Sequence, residues 1–362
     1  MKFGKITGLF VLFLGLNLFT GCTNFKPTTS PAETYPTVSN LAGQAGNQGS
    51  TNGAGIIATF SNPLGVAVDG SGNVYVGDLG NNLIRKITPA GVVSTLAGVQ
   101  GVAGSVNGAG ITATFSHPQG MAVDASGNVY VADTVNNLIR LITPAGVAST
   151  FAGSGSSGAV NGPVSLASFK YPYGVAVDNL GNVYVADFNN HLIRKISGGV
   201  VSTLAGQAGI PGFANGSGST ALFYHPQGVA VDGSGNVYVA DTGNEVIREI
   251  SPAGVVSTLA GEQGNGGSNN GGGVTATFSS PEGVVVDGSG NVYVADSGNN
   301  RIRKIIPGSF VSTYAGTGNW GDANGPATIA SFNNPYSVAL DASGNLYVGD
   351  TGNDLIRKIQ GQ

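Results

Sequence analysis

From residue 38 onward, short apolar runs alternate with glycine-rich polar ones, and the alternation repeats. The clearest copy follows Pro226. Gly228-Val229-Ala230-Val231-Asp232 reads as an innermost strand, and Gly233-Ser234-Gly235 supplies a tight turn that tolerates positive φ. Asn236 to Asp241 is a second strand with apolar alternation, and a turn through Asn244 leads to a third, Val246-Ile247-Arg248-Glu249-Ile250. Ser251-Pro252-Ala253-Gly254 turns the chain again, and Val255 to Ala260 is a fourth. Four antiparallel strands on short turns are predicted for each unit.

A phenylalanine shortly before a proline marks the copies: Phe60, Phe115, Phe169, Phe223, Phe278 and Phe332, spaced by 55, 54, 54, 55 and 54 residues. So long and constant a period indicates a propeller blade or a solenoid unit. The chain ends distinguish the two. The last copy stops at its third strand, Leu355-Ile356-Arg357-Lys358-Ile359, and a surplus fourth strand, Val38 to Gly43, precedes the first copy. One fills the gap left by the other and removes two open β edges, which a solenoid has no use for. The expectation is an all-β, six-bladed β-propeller over residues 38–362, with four-stranded antiparallel blades, the last closed by the N-terminal strand.

Composition agrees: 61 glycines and only 9% charged residues suit many turns and short strands, and 41% hydrophobic residues argue against disorder. A net charge of −4 with no basic block excludes the footprint of a nucleic-acid binder. One cysteine rules out an internal disulfide framework. It lies in Leu18-Phe19-Thr20-Gly21-Cys22, behind Lys2, Lys5 and an uncharged apolar stretch from Ile6 to Phe19 that is short for a membrane span. This resembles a bacterial lipobox, with Phe19 departing from its usual Leu. The resemblance implies a signal peptide over 1–21, lipidation at Cys22, and a protein held on a membrane by that anchor. Residues 22–37, rich in Thr, Pro and Ser, read as a flexible tether. By analogy with Gram-negative sorting, Thr23 after the cysteine points to the outer membrane or cell surface.

The recurring Pro-x-Gly-Val-Ala-Val-Asp, Gly-Asn-Val-Tyr-Val-Ala-Asp and Asn-x-Leu-Ile-Arg-Lys-Ile segments resemble NHL repeats from about residue 38 to 360. The departures are Ser337 for the first-strand Gly, and Glu249 and Leu141 for the Lys after Arg. Some propellers similar to this one are lyases or lactone and ester hydrolases with a metal or a His/Glu pair in the central channel.

Of the 19 acidic residues, 12 are repeat positions: Asp69, Asp124, Asp178, Asp232, Asp287 and Asp341 end first strands, and Asp78, Asp133, Asp187, Asp241, Asp296 and Asp350 end second strands. Each of the latter precedes an Asn by three residues and an Arg by seven, as in Asp78, Asn81 and Arg85. A catalytic centre needs one asymmetric constellation, whereas a structural bond is needed once per blade. These carboxylates are therefore expected to cap turn N–H groups and to pair with Arg, with the Asn adopting αL turn geometry.

Function is expected where symmetry breaks. The connectors, such as Gly98 to Phe115, vary in their middles and end in a Phe read as a plug. The residues flanking each strand-opening proline are expected to ring the channel mouth: Asn62 and Leu64, His117 and Gln119, Tyr171 and Tyr173, His225 and Gln227, Ser280 and Glu282, Asn334 and Tyr336. Trp320, in a connector on this face, is expected to cover the mouth, and His191 reads as a surface substitution.

Catalysis would draw on His117, His225 and Glu282, but further metal ligands and a nucleophile with its base are missing. No metal or other cofactor is expected. The glycine-rich stretch from Gly264 to Gly273 lacks the strand–loop–helix setting of a phosphate loop. The favoured expectation is a monomeric, non-catalytic binding module for a protein, peptide, glycan or small ligand, with His117, Gln119, Tyr171, Tyr173, His225, Gln227, Glu282, Tyr336 and Trp320 as its contact residues.

Overall fold

The predicted strands form where the alternation placed them. In blade 4 they are Pro226–Val231, Val237–Asp241, Val246–Ile250 and Val255–Ala260, paired antiparallel in that order. A two-residue strand, Gly216–Ser217, adds a fifth member outside Val255–Ala260. Such a strip occurs in five of the six sheets, and in blade 2 a single bridge between Gly108 and Ala148 takes its place. The connector leading into each blade thus covers the outer edge that would otherwise offer unpaired backbone groups. The computed structural model describes residues 36–361, so the signal peptide, Cys22 and nearly all of the tether lie outside the described residues.

Closure occurs at the N-terminal strand. Thr37–Ala42, one residue earlier than expected, pairs with Leu355–Ile359 and with Gly325–Pro326 in the sheet of blade 6. Gly43 falls just beyond the strand, with φ +106°, and a Cβ there would lie 2.5 Å from the Asp354 carbonyl. Both facts require glycine.

The core is six wedges, each between neighbouring blades. The wedge between blades 3 and 4 packs Ile193, Ala205, Phe223, Val229, Val239 and Val256. The wedge at the seam joins Ala42, Ala339, Tyr347 and Ile356 of blade 6 to Phe60, Val66 and Ile87 of blade 1. The seam is therefore packed like every other joint.

Inside each blade the expected Asp–Arg pair is present and wholly buried, at 2.7 or 2.8 Å in all six copies. In blade 4, Arg248 Nη1 donates to Asp241 Oδ2 and to the Leu222 carbonyl, while Nη2 donates to the Ala214 carbonyl and to Asn215 Oδ1. The guanidinium lies 5.1 Å from the ring of Phe223, the connector plug. Asp241 Oδ1 accepts the Tyr224 N–H, and Asn244 Nδ2 donates to Asp241 Oδ2. The first-strand aspartates cap turns as expected: Asp232 Oδ1 accepts the N–H groups of Ser234 and Asn236.

One detail corrects the sequence reading. The αL residue is not Asn244 or its equivalents but the next one: Asn82, Asn137, His191, Glu245, Asn300 and Asp354, with φ from 52° to 61°. The asparagine before it is needed for its amide, which ties the aspartate to the connector, as when Asn244 Nδ2 donates to the Gly212 carbonyl.

Removing residues 37–42 should therefore open the ring rather than trim an end. Burial of Val38 and the lost ladder bonds together predict a loss of about 3–5 kcal/mol or more. Thermal unfolding followed by circular dichroism should show a much lower midpoint, and an unchanged midpoint would refute closure by this strand.

Candidate channel-mouth site

Each innermost strand leaves its ladder just after the opening proline. The register shifts between Pro226 and Val229, between Pro281 and Val284, and at the corresponding place in the other blades. The two residues at that shift face the axis, both unpaired in five blades, whereas in blade 6 Ser337 keeps its pairing with Gly349. The second is glycine in five blades because the next blade comes very close: a Cβ at Gly228 would lie 2.1 Å from the Glu282 carbonyl, and one at Gly65 would lie 1.8 Å from that of Gln119. In blade 6 it is Ser337, whose hydroxyl donates to the Leu64 carbonyl across the seam. The serine thus uses the contact that would exclude a larger apolar group.

The first released residue sets the character of the channel. Tyr336 of blade 6 spans it, its Oη lying 2.6 Å from Gln227 Oε1 of blade 4 and 3.0 Å from Gln119 Oε1 of blade 2. One hydroxyl proton cannot serve two carbonyl oxygens, so one glutamine turns its NH2 group toward Oη. The result is a plug held from three blades. Below it is a cavity of about 60 Å³, edged by Tyr173, Gln227, Glu282 and Tyr336 and floored by aliphatic side chains that include Val229 and Val284. That volume takes a few water-sized groups.

Among the described residues Glu282 has no cationic partner. Its Oε2 lies 2.8 Å from Ser297 Oγ, which also contacts the Pro335 carbonyl. Thr134, Thr242 and Thr351 occupy the equivalent position and donate to the proline carbonyls of the following blades. Ser297 Oγ has one proton for two acceptors, the Pro335 carbonyl and Glu282 Oε2, so its help to a charged carboxylate is shared and does not offset burial. Burial accordingly pushes Glu282 up to about 8. The Tyr336 hydroxyl is raised well above its ordinary value, by burial first and then by Glu282 and Tyr173.

The pre-proline residues do something different from the ring just described. Asn62, His117, Tyr171, His225, Ser280 and Asn334 all have φ between 46° and 54°, a conformation that is costly for tyrosine and disfavoured before proline. Each donates its backbone N–H to the side chain of the αL residue in the preceding blade, as His117 does to Asn82 Oδ1 and Ser280 to Glu245 Oε2. In blade 4 the acceptor is His191 Nδ1, 3.2 Å from the His225 nitrogen. His191 is therefore a buried inter-blade latch, not the surface substitution expected from sequence. Burial, then His225 and Lys170, lower it to about 4.

Symmetry breaks most strongly between blades 3 and 4. Phe188 stands where four other blades have Thr or Ser, with Tyr173 edge-on at 4.2 Å and His225 stacked at 4.4 Å. Tyr224 stacks on the far side of His225 at 4.5 Å, and His191 lies 4.8 Å from His225. An unbroken aromatic path thus runs from the channel wall at Tyr173 to Tyr224, which is 39% exposed; Tyr171, before the proline of blade 3, is 40% exposed. Phe188 and Tyr224 were not singled out from sequence, although aligning the six copies at the residues after Asp187 and Phe223 exposes both.

The remaining expected contacts do not converge. His117 and His225 do not line the cavity that holds Glu282. Among the described residues no group of three or more His, Cys, Asp or Glu is placed to hold a metal. Trp320 is 78% exposed and bridged to Phe332 in its own connector, and it does not line the channel cavity.

The repeats match a known family model, described as NHL repeat, over residues 60–87, 115–140, 169–196, 223–245 and 278–305. The chain carries NHL repeats. The sixth copy, with Ser337 and Leu340 in its first strand, lies outside the matched segments. Among curated relatives, the Arabidopsis thaliana Protein SUPPRESSOR OF QUENCHING 1, chloroplastic, is 30% identical over 282 residues, covering 72% of this chain and 26% of the relative. The chain spans less than half the length of the curated relatives it matches. Two solved structures share its fold. A Bacteroides thetaiotaomicron protein of unknown function has TM-score 0.71 and 21% identity, over 90% of this chain and 76% of that one. A Bacteroides ovatus auxiliary nutrient binding protein has TM-score 0.69 and 17% identity, over 91% and 78%.

A carboxyl held near 8 in the native state and near 4.5 when unfolded binds its proton more tightly when folded, so stability falls as pH rises between those values. Glu282→Gln, a neutral near-isostere, removes that slope. Its melting temperature relative to the parent should climb from pH 4.5 to about 8 and then level. A difference that stays constant across this range would show that Glu282 is ionised throughout.

Proposed function

We propose that this NHL propeller is a non-catalytic binding module of the cell envelope whose ligand lies across the mouth face on blades 3 and 4. The aromatic path from Tyr173 through Phe188 and His225 to Tyr224 carries the reading. It occupies repeat positions that other blades fill mostly with small or polar residues, so the fold does not demand it. Exposed aromatic faces with hydroxyl and imidazole edges suit stacking against a sugar ring, a peptide side chain or a small planar molecule. The Tyr336 plug and the size of the cavity beneath it favour a ligand whose bulk lies on the face rather than through the channel. That a Bacteroides protein named for nutrient binding shares the fold is compatible with this role.

A second reading, a propeller lyase or lactone/ester hydrolase, has one observation in its favour: the proton-bearing carboxyl of Glu282 in the channel. It would need a second group to act with that acid.

Glycan and peptide arrays probed with the full chain test the first reading. The double variant Tyr171→Ala/Tyr224→Ala should lose at least about tenfold in capture, with a melting temperature close to the parent's, because both side chains are largely at the surface. Equal capture by parent and variant would place any ligand elsewhere.

Envelope attachment belongs to the same proposal and rests on the segment ending at Cys22. Cys22→Ser should move the protein from the membrane fraction to the soluble one; persistence in the membrane fraction would rule out a lipid anchor at that residue.

A further inference from the structure

Carboxylates buried in this propeller have partners. Six aspartates each hold an arginine, and Asp354 and Glu245, which hold none, accept a backbone N–H from the following blade. Glu282 differs from all of them. Its Oε2 meets Ser297, and among the described residues its other oxygen has no protein partner and the cavity it borders is lined by no Lys, Arg or His.

The rest of that cavity has a consistent chemistry. Tyr173 and Tyr336 present aromatic rings, whose faces attract cations. Gln227 adds an amide. The wall is made of the glycine ring, against which the carbonyl oxygens of Gln119, Tyr173, Gln227 and Glu282 lie. A carboxyl and two aromatic rings are the groups of this lining that favour a cation, and the aliphatic floor offers no competing ligand for a metal.

We propose that the channel cavity below Tyr336 binds a primary ammonium group, held by the Glu282 carboxylate and flanked by the Tyr173 and Tyr336 rings. A volume of about 60 Å³ admits such a head and a short stem and excludes a sugar ring or a peptide. Tyr173 both lines the cavity and begins the aromatic path to the face. A ligand whose apolar or aromatic remainder lies on blades 3 and 4 reaches the cavity with its ammonium end as Tyr336 gives up one of its two glutamine contacts. The inference rests on the mouth face being a binding surface and names the chemistry of its deepest contact.

Binding is coupled to one proton. With Glu282 pushed up to about 8 by burial, the acid holds its proton in the empty site at pH 7, and the groups facing it from the other blades are Tyr173, Gln227 and Tyr336, none of them a cation or a carboxylate. An arriving ammonium ionises Glu282, and the carboxyl proton leaves to solvent.

Isothermal titration of the full chain with ethylammonium, in two buffers of different ionisation enthalpy, tests this. A carboxyl titrating at about 8 predicts release of nearly one proton per ammonium at pH 7 and almost none at pH 9, with about tenfold tighter binding at pH 9. Glu282→Gln should weaken binding more than about tenfold and abolish the pH dependence, while its melting curve shows that it folds. The proton count is read on the parent protein and depends on no variant. Potassium binding as tightly as ethylammonium would overturn the assignment in favour of a simple cation site, and so would undiminished binding by the glutamine variant. Absence of ethylammonium binding would overturn it too. If Tyr171 and Tyr224 still govern array capture in that case, the face binds without an ammonium contact; if they do not, both readings fall together.

Discussion

Each blade is organised around an arginine and an aspartate wholly removed from water. Such a pair repays its desolvation only when geometry is good and the remaining donors are satisfied, and removing one partner typically costs about 3–5 kcal/mol. Here the guanidinium reaches the aspartate with one nitrogen and the connector with both, so the bond that balances the buried charge also ties down the loop entering the blade. The phenylalanine plug lies over the same guanidinium. Only Nε lacks a partner, and it does so in all six blades, as expected of a shared geometry rather than a local misfit. Without this pair, the connector would hold neither its plug nor the short strip that protects the blade's outer edge.

The aspartate carries the constraint inward. Its second oxygen fixes the residue after the plug, and the following pre-proline residue is pinned to the preceding blade through its N–H. Six such latches, with proline-carbonyl bonds from Thr or Ser in four of the joints, hold the mouth at fixed width. A rigid, repeated frame of this kind places a few irregular side chains with little freedom to adjust, which favours a preorganised site.

Two irregularities bear on the mouth. Blade 3 exchanges the hydroxyl of one latch for Phe188, and the aromatic path grows from that exchange. Blade 5 keeps the hydroxyl, Ser297, and sets Glu282 against it. The same repeat position therefore supports an apolar surface in one blade and a proton-bearing acid in another. Both meet at the channel near Tyr173 and Tyr336.

The number of blades, their strands, the split last blade and the Asp–Arg pairing were all legible in the chain, because each depends on residues spaced locally and repeated six times. Ser337, a plain departure from the repeat, was visible too, but not its bond to Leu64 across the seam. What the sequence did not reveal lies between blades. That His191 latches His225, that Tyr336 crosses the channel to Gln119 and Gln227, and that Trp320 stays outside the mouth are consequences of closure, which brings together residues as many as 292 positions apart, as for Asn62 and Asp354. Local alternation and turn chemistry by themselves determined the ring. Only the ring, by aiming six first strands at one axis, decided which of their side chains would meet and which acid would be left there without a cation.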